Sequence, residues 1–415
     1  MRMKFNKTSQ LLLVSAASLL AAGALAACAD ATVDFVYVTS SQAAGTNSYG
    51  EINVYTINQV SGLMRQIPTS PFPSAGRKPV AEAVSTDYSN LYVVNQDDNT
   101  IVQFLIGPDG KLYPQNTYNT PGIFPLAVAV SSSYLFVADT YLPASCSTTS
   151  PCSGSIGVFP ILDATDAGKL SPAEIAGTLG TVVANPANSA NYWPLTLSGN
   201  PSHIILPTGI NVSASGSYLY VSAYDTTANN GYVFAFSVGS GGVLSAVSGS
   251  PFAAGVHPSG IASGSNSNGD YVYVTDFTSG DVLGYKATGG VLTSLGGTYA
   301  SGNQPSAIAV DSKYQYVFVA NSLDGTVRSY SIGATGALSS LGTFATGVDP
   351  VAIGIDPGTS HFVFTANFLG NSAVGTVSDF ELNTSTGLLV NAQHSPFNSN
   401  LLPTAVVAVP HTPVR

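Results

Sequence analysis

The sequence predicts an all-β chain, a seven-bladed β-propeller of four-stranded antiparallel blades. Three observations predict it: a short aromatic and β-branched run repeated seven times, seven prolines that each open a further run, and Gly-centred turns between a third and a fourth. One unit, within residues 305–341, reads Pro-Ser-Ala-Ile-Ala-Val-Asp, Tyr-Val-Phe-Val-Ala-Asn, Thr-Val-Arg-Ser-Tyr-Ser-Ile and Gly-Ala-Leu-Ser-Ser-Leu. These four pieces are strands A, B, C and D.

Strand B recurs at Phe35, Leu91, Leu135, Tyr218, Tyr271, Tyr316 and Phe362, as in Tyr271-Val-Tyr-Val. Alternating bulky residues of this kind suit a pleated, buried strand. Strand A follows Pro79, Pro125, Pro207, Pro258, Pro305, Pro350 and Pro403. Proline lacks the N–H that a ladder needs, so it belongs at a strand's first position. The C-to-D turns centre on Gly62, Gly110, Gly168, Gly241-Gly242, Gly289-Gly290, Gly336 and Gly387, where glycine supplies positive φ. The order begins with a B strand at Phe35 and ends with an A strand at 403–409. One blade is therefore expected to join B, C and D from residues 35 to about 70 with that last strand, closing the ring.

Composition agrees and excludes other classes. The chain has 12 Lys+Arg against 22 Asp+Glu, 8% charged and 45% hydrophobic residues. A basic nucleic-acid binder is excluded, and so is a disordered chain. Residues 1–27 read as a leader: Arg2, Lys4 and Lys7, then an apolar run, then Leu25-Ala26-Ala27-Cys28. That ending resembles the lipobox of bacterial lipoproteins, which implies cleavage before Cys28 and a lipid on it. The expectation is an exported, membrane-anchored lipoprotein of the bacterial cell envelope, with 28–34 as tether, 35–410 as a single propeller and 411–415 as tail. Removing 1–27 leaves 9 Lys+Arg against 22 Asp+Glu. In an oxidising compartment Cys146 and Cys152 are expected to form a disulfide.

Tyr-Val-Thr-Asp at 273–276, Phe-Val-Ala-Asn at 318–321, the Gly-x-Leu turns and Ser-Pro-Phe at 70–72, 250–252 and 395–397 resemble the YVTN-repeat propellers. These overlap with the lactonase-type, 6-phosphogluconolactonase-like propellers. The resemblance implies an Arg, Glu and His set around the channel mouth. This sequence departs from it: no arginine directly follows any of the seven prolines, and Asn95-Gln96 stands where Asn-Glu is the common pattern.

Strand alternation puts the D-to-A and B-to-C loops on one face. Its rim gathers the residues before the prolines: Lys78, Phe124, Leu206, His257, Gln304, Asp349 and Leu402. Asn95, Asp139, Asp276, Asn321 and Asn367, at the ends of B strands, stand close behind. His257 is the candidate general base, with Asp276 and Asp349 as partners and Lys78 as the cation. Two long departures, 140–155 and about 176–206, fall on this face. The second carries Tyr192, Trp193 and His203, with Tyr192 and Trp193 placed either to stack on a sugar or to fill a gap between blades. Asn95, Asp139, Gln304, Asn321 and Asn367 complete the candidate ligand set.

No Gly-x-Ser-x-Gly elbow and no zinc-like histidine spacing occurs, so no metal and no cofactor are expected. The reading favoured by the missing arginines is a monomeric, non-catalytic module that binds a glycan, peptide or envelope protein. The alternative is a lactone hydrolase.

Overall fold

The computed structural model describes residues 32–42, 48–143, 146, 151–162, 176–313, 315–359, 361–368 and 374–411. It contains seven antiparallel sheets, each built around the expected four-strand meander. Numbered from the closing blade, blades 2 to 7 begin with A strands at Pro79–Val84, Ile123–Val130, Ile205–Val212, Pro258–Asn266, Pro305–Val310 and Pro350–Ile355. Blade 1 is composite. Its B strand, Thr32–Ser41, pairs on one side with Tyr49–Asn58 and on the other with the closing strand Leu402–Pro410. The A strands neighbour one another in a complete ring, with Leu402–Pro410 between those of blades 2 and 7. Sevenfold closure is therefore as the repeat predicts. Strand B starts at Thr32, three residues earlier than expected, and the leader with Cys28 lies outside the described residues.

The core is partitioned between blades. Strand B side chains alternate between the two neighbours: Leu219, Val221 and Ala223 pack toward blade 3, whereas Tyr220 packs toward blade 5. Seven such seams hold the ring, and burying apolar side chains in them supplies the main driving force. Hydroxyls after the prolines add ties between A strands. Thr404 donates to Pro79 O at 2.9 Å, Ser259 to Pro305 O at 2.5 Å and Ser306 to Pro350 O at 2.5 Å.

The Ser-Pro-Phe triplets have a structural use. Ser70, Ser250 and Ser395 each accept a strand C amide, from Val54, Ala235 and Asp379, at 2.8–2.9 Å. The outer strand is interrupted there, and its second piece, such as Phe72–Arg77 or Phe252–Ala253, pairs again with C. Blade 3 does the same on a larger scale. Thr178–Leu179 and Trp193–Pro194 both pair with Ser155–Leu162, so part of the expected 176–206 connection is a split outer strand. The C-to-D turn expected at Gly168 lies outside the described residues. Cys146 and Cys152 are joined as expected, Cα to Cα 5.6 Å.

Candidate active site at the channel mouth

The mouth is built by one local device repeated with variations. A glycine three residues before the proline recurs at Gly76, Gly122, Gly255, Gly302 and Gly347. A Cβ on any of them would lie 2.1–2.7 Å from the strand B residue paired with that proline: Asn95, Asp139, Asp276, Asn321 and Asn367 respectively. Glycine is required because that polar side chain folds under the loop and holds it. Gly122 N–H donates to Asp139 at 2.9 Å, and Ser301 Oγ–H to Asn321 at 2.7 Å. Asn367 donates to Thr376 and Ser378. All five are buried. Asn95, Asp139, Asn321 and Asn367, expected to complete a ligand set, are thus buried beneath the mouth loops.

The residue after strand B fixes the loop from the other side. Backbone N–H groups of Gln96, Phe277, Ser322 and Phe368 donate to the carbonyls of Lys78, His257, Gln304 and Asp349 at 2.8–2.9 Å. Lys78, Phe124, Gln304 and Asp349 sit at φ of 50–56°, in the left-handed region. Such a backbone costs about 1–3 kcal/mol per residue, and it persists here because both flanks are tied. Each A–B ladder also carries a bulge close to the mouth. Bulges of this kind re-aim side chains near sites.

The rim itself is aromatic. The His257 ring lies 4.2 Å from the Tyr224 ring and 5.7 Å from that of Phe277, centroid to centroid, and Phe124 meets Tyr141 edge-on at 6.1 Å. His257 is half-buried, and burial holds its imidazole below the ordinary 6.5 despite the opposing pull of Asp276. It is therefore neutral at pH 7 and able to accept a proton.

Asp276 does not orient that ring as expected. Its carboxylate accepts the backbone N–H of His257 at 3.2 Å and of Val256 at 2.6 Å, and those of Thr278 and Ser279. Asp349 stands on the rim of blade 7, its carboxyl raised by burial. Lys78 is exposed on blade 2. Beside it Arg77 is engaged by Asp98, Nε to Oδ1 at 2.6 Å.

His203 forms a second constellation. Its Nδ1 lies 2.7 Å from Oδ2 of the buried Asp225, in the loop before the A strand of blade 4. Asp225 is held below the usual carboxylate range despite burial, first by this bond and then by the Ala228 and Thr227 amides. Asp225 and Tyr224 were missed in the sequence because Ala223, not a polar residue, pairs with Pro207 in blade 4, and strand B there runs two residues past that pair, as it does in blade 3.

Trp193 is buried between blades 3 and 4, its indole N–H donating to Leu244 O at 3.1 Å. It fills the gap between blades and does not offer a stacking face. Tyr192 precedes it and is exposed only in part. Among the described residues no group of three or more His, Cys, Asp or Glu side chains gathers to hold a metal. An apolar pocket of about 520 Å³, lined by Phe35, Tyr88, Tyr113, Val409 and His411, lies at the clasp, on the face opposite the mouth.

Fold and repeat together define a seven-bladed β-propeller. Residues 271–398, covering most of blades 5 to 7, match the family model described as "Lactonase, 7-bladed beta-propeller". Among solved structures, the periplasmic gluconolactonase of Pseudomonas aeruginosa is similar at 20% identity and a TM-score of 0.68, over 91% of this chain and 99% of that one. A Bacteroides fragilis protein provisionally assigned as a 6-phosphogluconolactonase is similar at 19% identity and 0.68, over 92% and 99%. At this identity the likeness carries the architecture. None of the curated proteins matches the sequence.

Proposed function

We propose that the protein hydrolyses a neutral sugar lactone at the mouth, with His257 as general base. The observation that carries this reading is the neutral imidazole of His257 held between Tyr224 and Phe277 on the rim of a lactonase-type propeller. The family match favours the hydrolase alternative over the binding module that the missing arginines had suggested. An aromatic rim suits the apolar face of a sugar ring. Among the described rim residues Arg77 is engaged by Asp98 and Lys78 is a single further cation, which suits a substrate without phosphate.

In the proposed step the imidazole takes a proton from water as the water oxygen bonds to the lactone carbonyl carbon. The ring C–O bond then breaks, and the departing oxygen takes the proton back, giving the open hydroxy acid. Purified protein should accelerate the opening of glucono-δ-lactone, followed by acid release, and much less that of 6-phosphogluconolactone. His257→Ala should lower kcat about 10²–10⁴-fold. Because burial lowers the imidazole's pKa, the acid limb of the pH profile should lie below 6.5. Opening at the spontaneous rate with the intact protein, or equal rates with His257→Ala, would discard the proposal.

A further inference from the structure

The closing blade is bounded by two seams, and each contains a buried carboxyl group. Against blade 2 the group is Glu82. The third residue after the A-strand proline packs toward the preceding blade, and in the other six blades it is Val128, Ile210, Ile261, Ile308, Ile353 or Val406. Glu82 alone brings an acid to that position. Its Oε2 accepts the hydroxyl of Thr39 on strand B of blade 1 at 2.5 Å, while Oε1 is sealed without a partner. Part of the residue keeps some exposure, but the carboxyl is covered.

Against blade 7 the group is Asp34, at the other end of the same strand B and 1% exposed. Burial first, and then the neighbouring carboxyl of Asp356 in the A-to-B turn of blade 7, raise its pKa, and its Oδ2 has no hydrogen-bond partner. Asp379, on strand C of blade 7, is fully buried, with neither carboxyl oxygen paired, and it feels the charge of Asp34 and of Glu381. The phenol of Tyr88, from blade 2, faces Asp34 and Asp356, and that of Tyr37 faces Glu82 and Asp109. Among the described residues no cation is felt at Asp34, Glu82 or Asp379.

We propose that blade 1 is a proton-dependent latch: neutral carboxyl groups in both seams keep Thr32–Ser41 and Leu402–Pro410 seated, and their ionisation places unpaired charge there and loosens the clasp. Burial supports this by raising Asp34 and Glu82 each to about 8, from 3.8 and 4.5. A carboxyl whose pKa is raised by folding holds its proton in the native chain after the unfolded chain has lost it. Its contribution is therefore greatest below about pH 4 and is lost as pH rises toward about 8.

The test is hydrogen–deuterium exchange of the full chain at about pH 6 and about pH 9, corrected for intrinsic exchange. Peptides covering Thr32–Ser41 and Leu402–Pro410 should lose about tenfold more protection than Gly269–Asp276 of blade 5. The double variant Asp34→Asn/Glu82→Gln should keep its protection at the higher pH. If it fails to fold, Glu82→Ile, which restores the residue type of the other blades, should reduce the pH response by itself. Equal loss in all blades, no loss in the clasp, or an unchanged response in the folded variants would overturn the latch.

Discussion

Blades 3 and 5 present the same loop at the mouth, Gly-x-x-Pro folded over the strand B aspartate paired with that proline, yet the two aspartates are in opposite electrostatic states. Asp276 in blade 5 accepts four backbone N–H bonds and the Ser279 hydroxyl, and its pKa is lowered although burial opposes this. Asp139 in blade 3 accepts Gly122 N–H, leaves Oδ1 unpaired, and is raised to about 7 by burial. The cause is the next turn. After Asp276 the chain turns back at once and returns the amides of Thr278 and Ser279 to the carboxylate, whereas after Asp139 it runs out into the disulfide loop. A position in the repeat thus fixes where a carboxylate sits, and the length of the following loop decides whether it is a permanent anion.

The largest effect expected from this contrast is at Asp276. Asp276→Ala should cost about 3 kcal/mol in denaturant unfolding, because it removes the shared acceptor of four backbone donors at once. A cost below about 1 kcal/mol would mean that water replaces the carboxylate, and the contrast with Asp139 would collapse. Next come the glycines. Gly255→Ala should cost about 3 kcal/mol, since its Cβ would meet Asp276 Oδ2 at 2.1 Å with φ at +72°. Gly122→Ala, whose Cβ would lie 2.4 Å from that of Asp139, should cost about 2 kcal/mol, measured the same way.

The smallest effect is the most diagnostic. Asp139 is raised from 3.8 to about 7 in the native chain, so its contribution is greatest below about pH 4 and falls until about pH 7. Asp139→Asn should therefore be nearly neutral at low pH and stabilising by about 1–2 kcal/mol at pH 8, visible as a raised Tm. A destabilised variant at pH 8 would show that the carboxylate is tied more firmly than its bonds indicate.

Much of this was legible in the sequence. The strand runs, the prolines and the turn glycines encode backbone needs that recur identically in each blade, so seven units and the shared closing blade could be counted. Side-chain roles were harder to read. Asn95, Asp139, Asn321 and Asn367 looked like rim ligands because strand alternation gives the face but not the depth. The signal that separates the two readings was present: a glycine three residues before the proline leaves room for a side chain to fold beneath the loop. Trp193 looked like a sugar platform because an isolated Trp in a long connection carries no period, and its hydrogen bond to Leu244 joins distant parts of the chain. The His203–Asp225 pair was hidden because blade 4 has Ala223 at the position where other blades carry Asn or Asp, and its acid stands two residues further along the strand.

The composite blade has a consequence for biosynthesis. Its innermost strand leaves the ribosome after all the other blades, so until then Thr32–Ser41 presents one bare edge and the partly made barrel has an unclosed flank. Until that last segment arrives, a nascent chain is a template for misdirected strand addition, and chaperone protection of this edge would matter more here than anywhere else in the molecule.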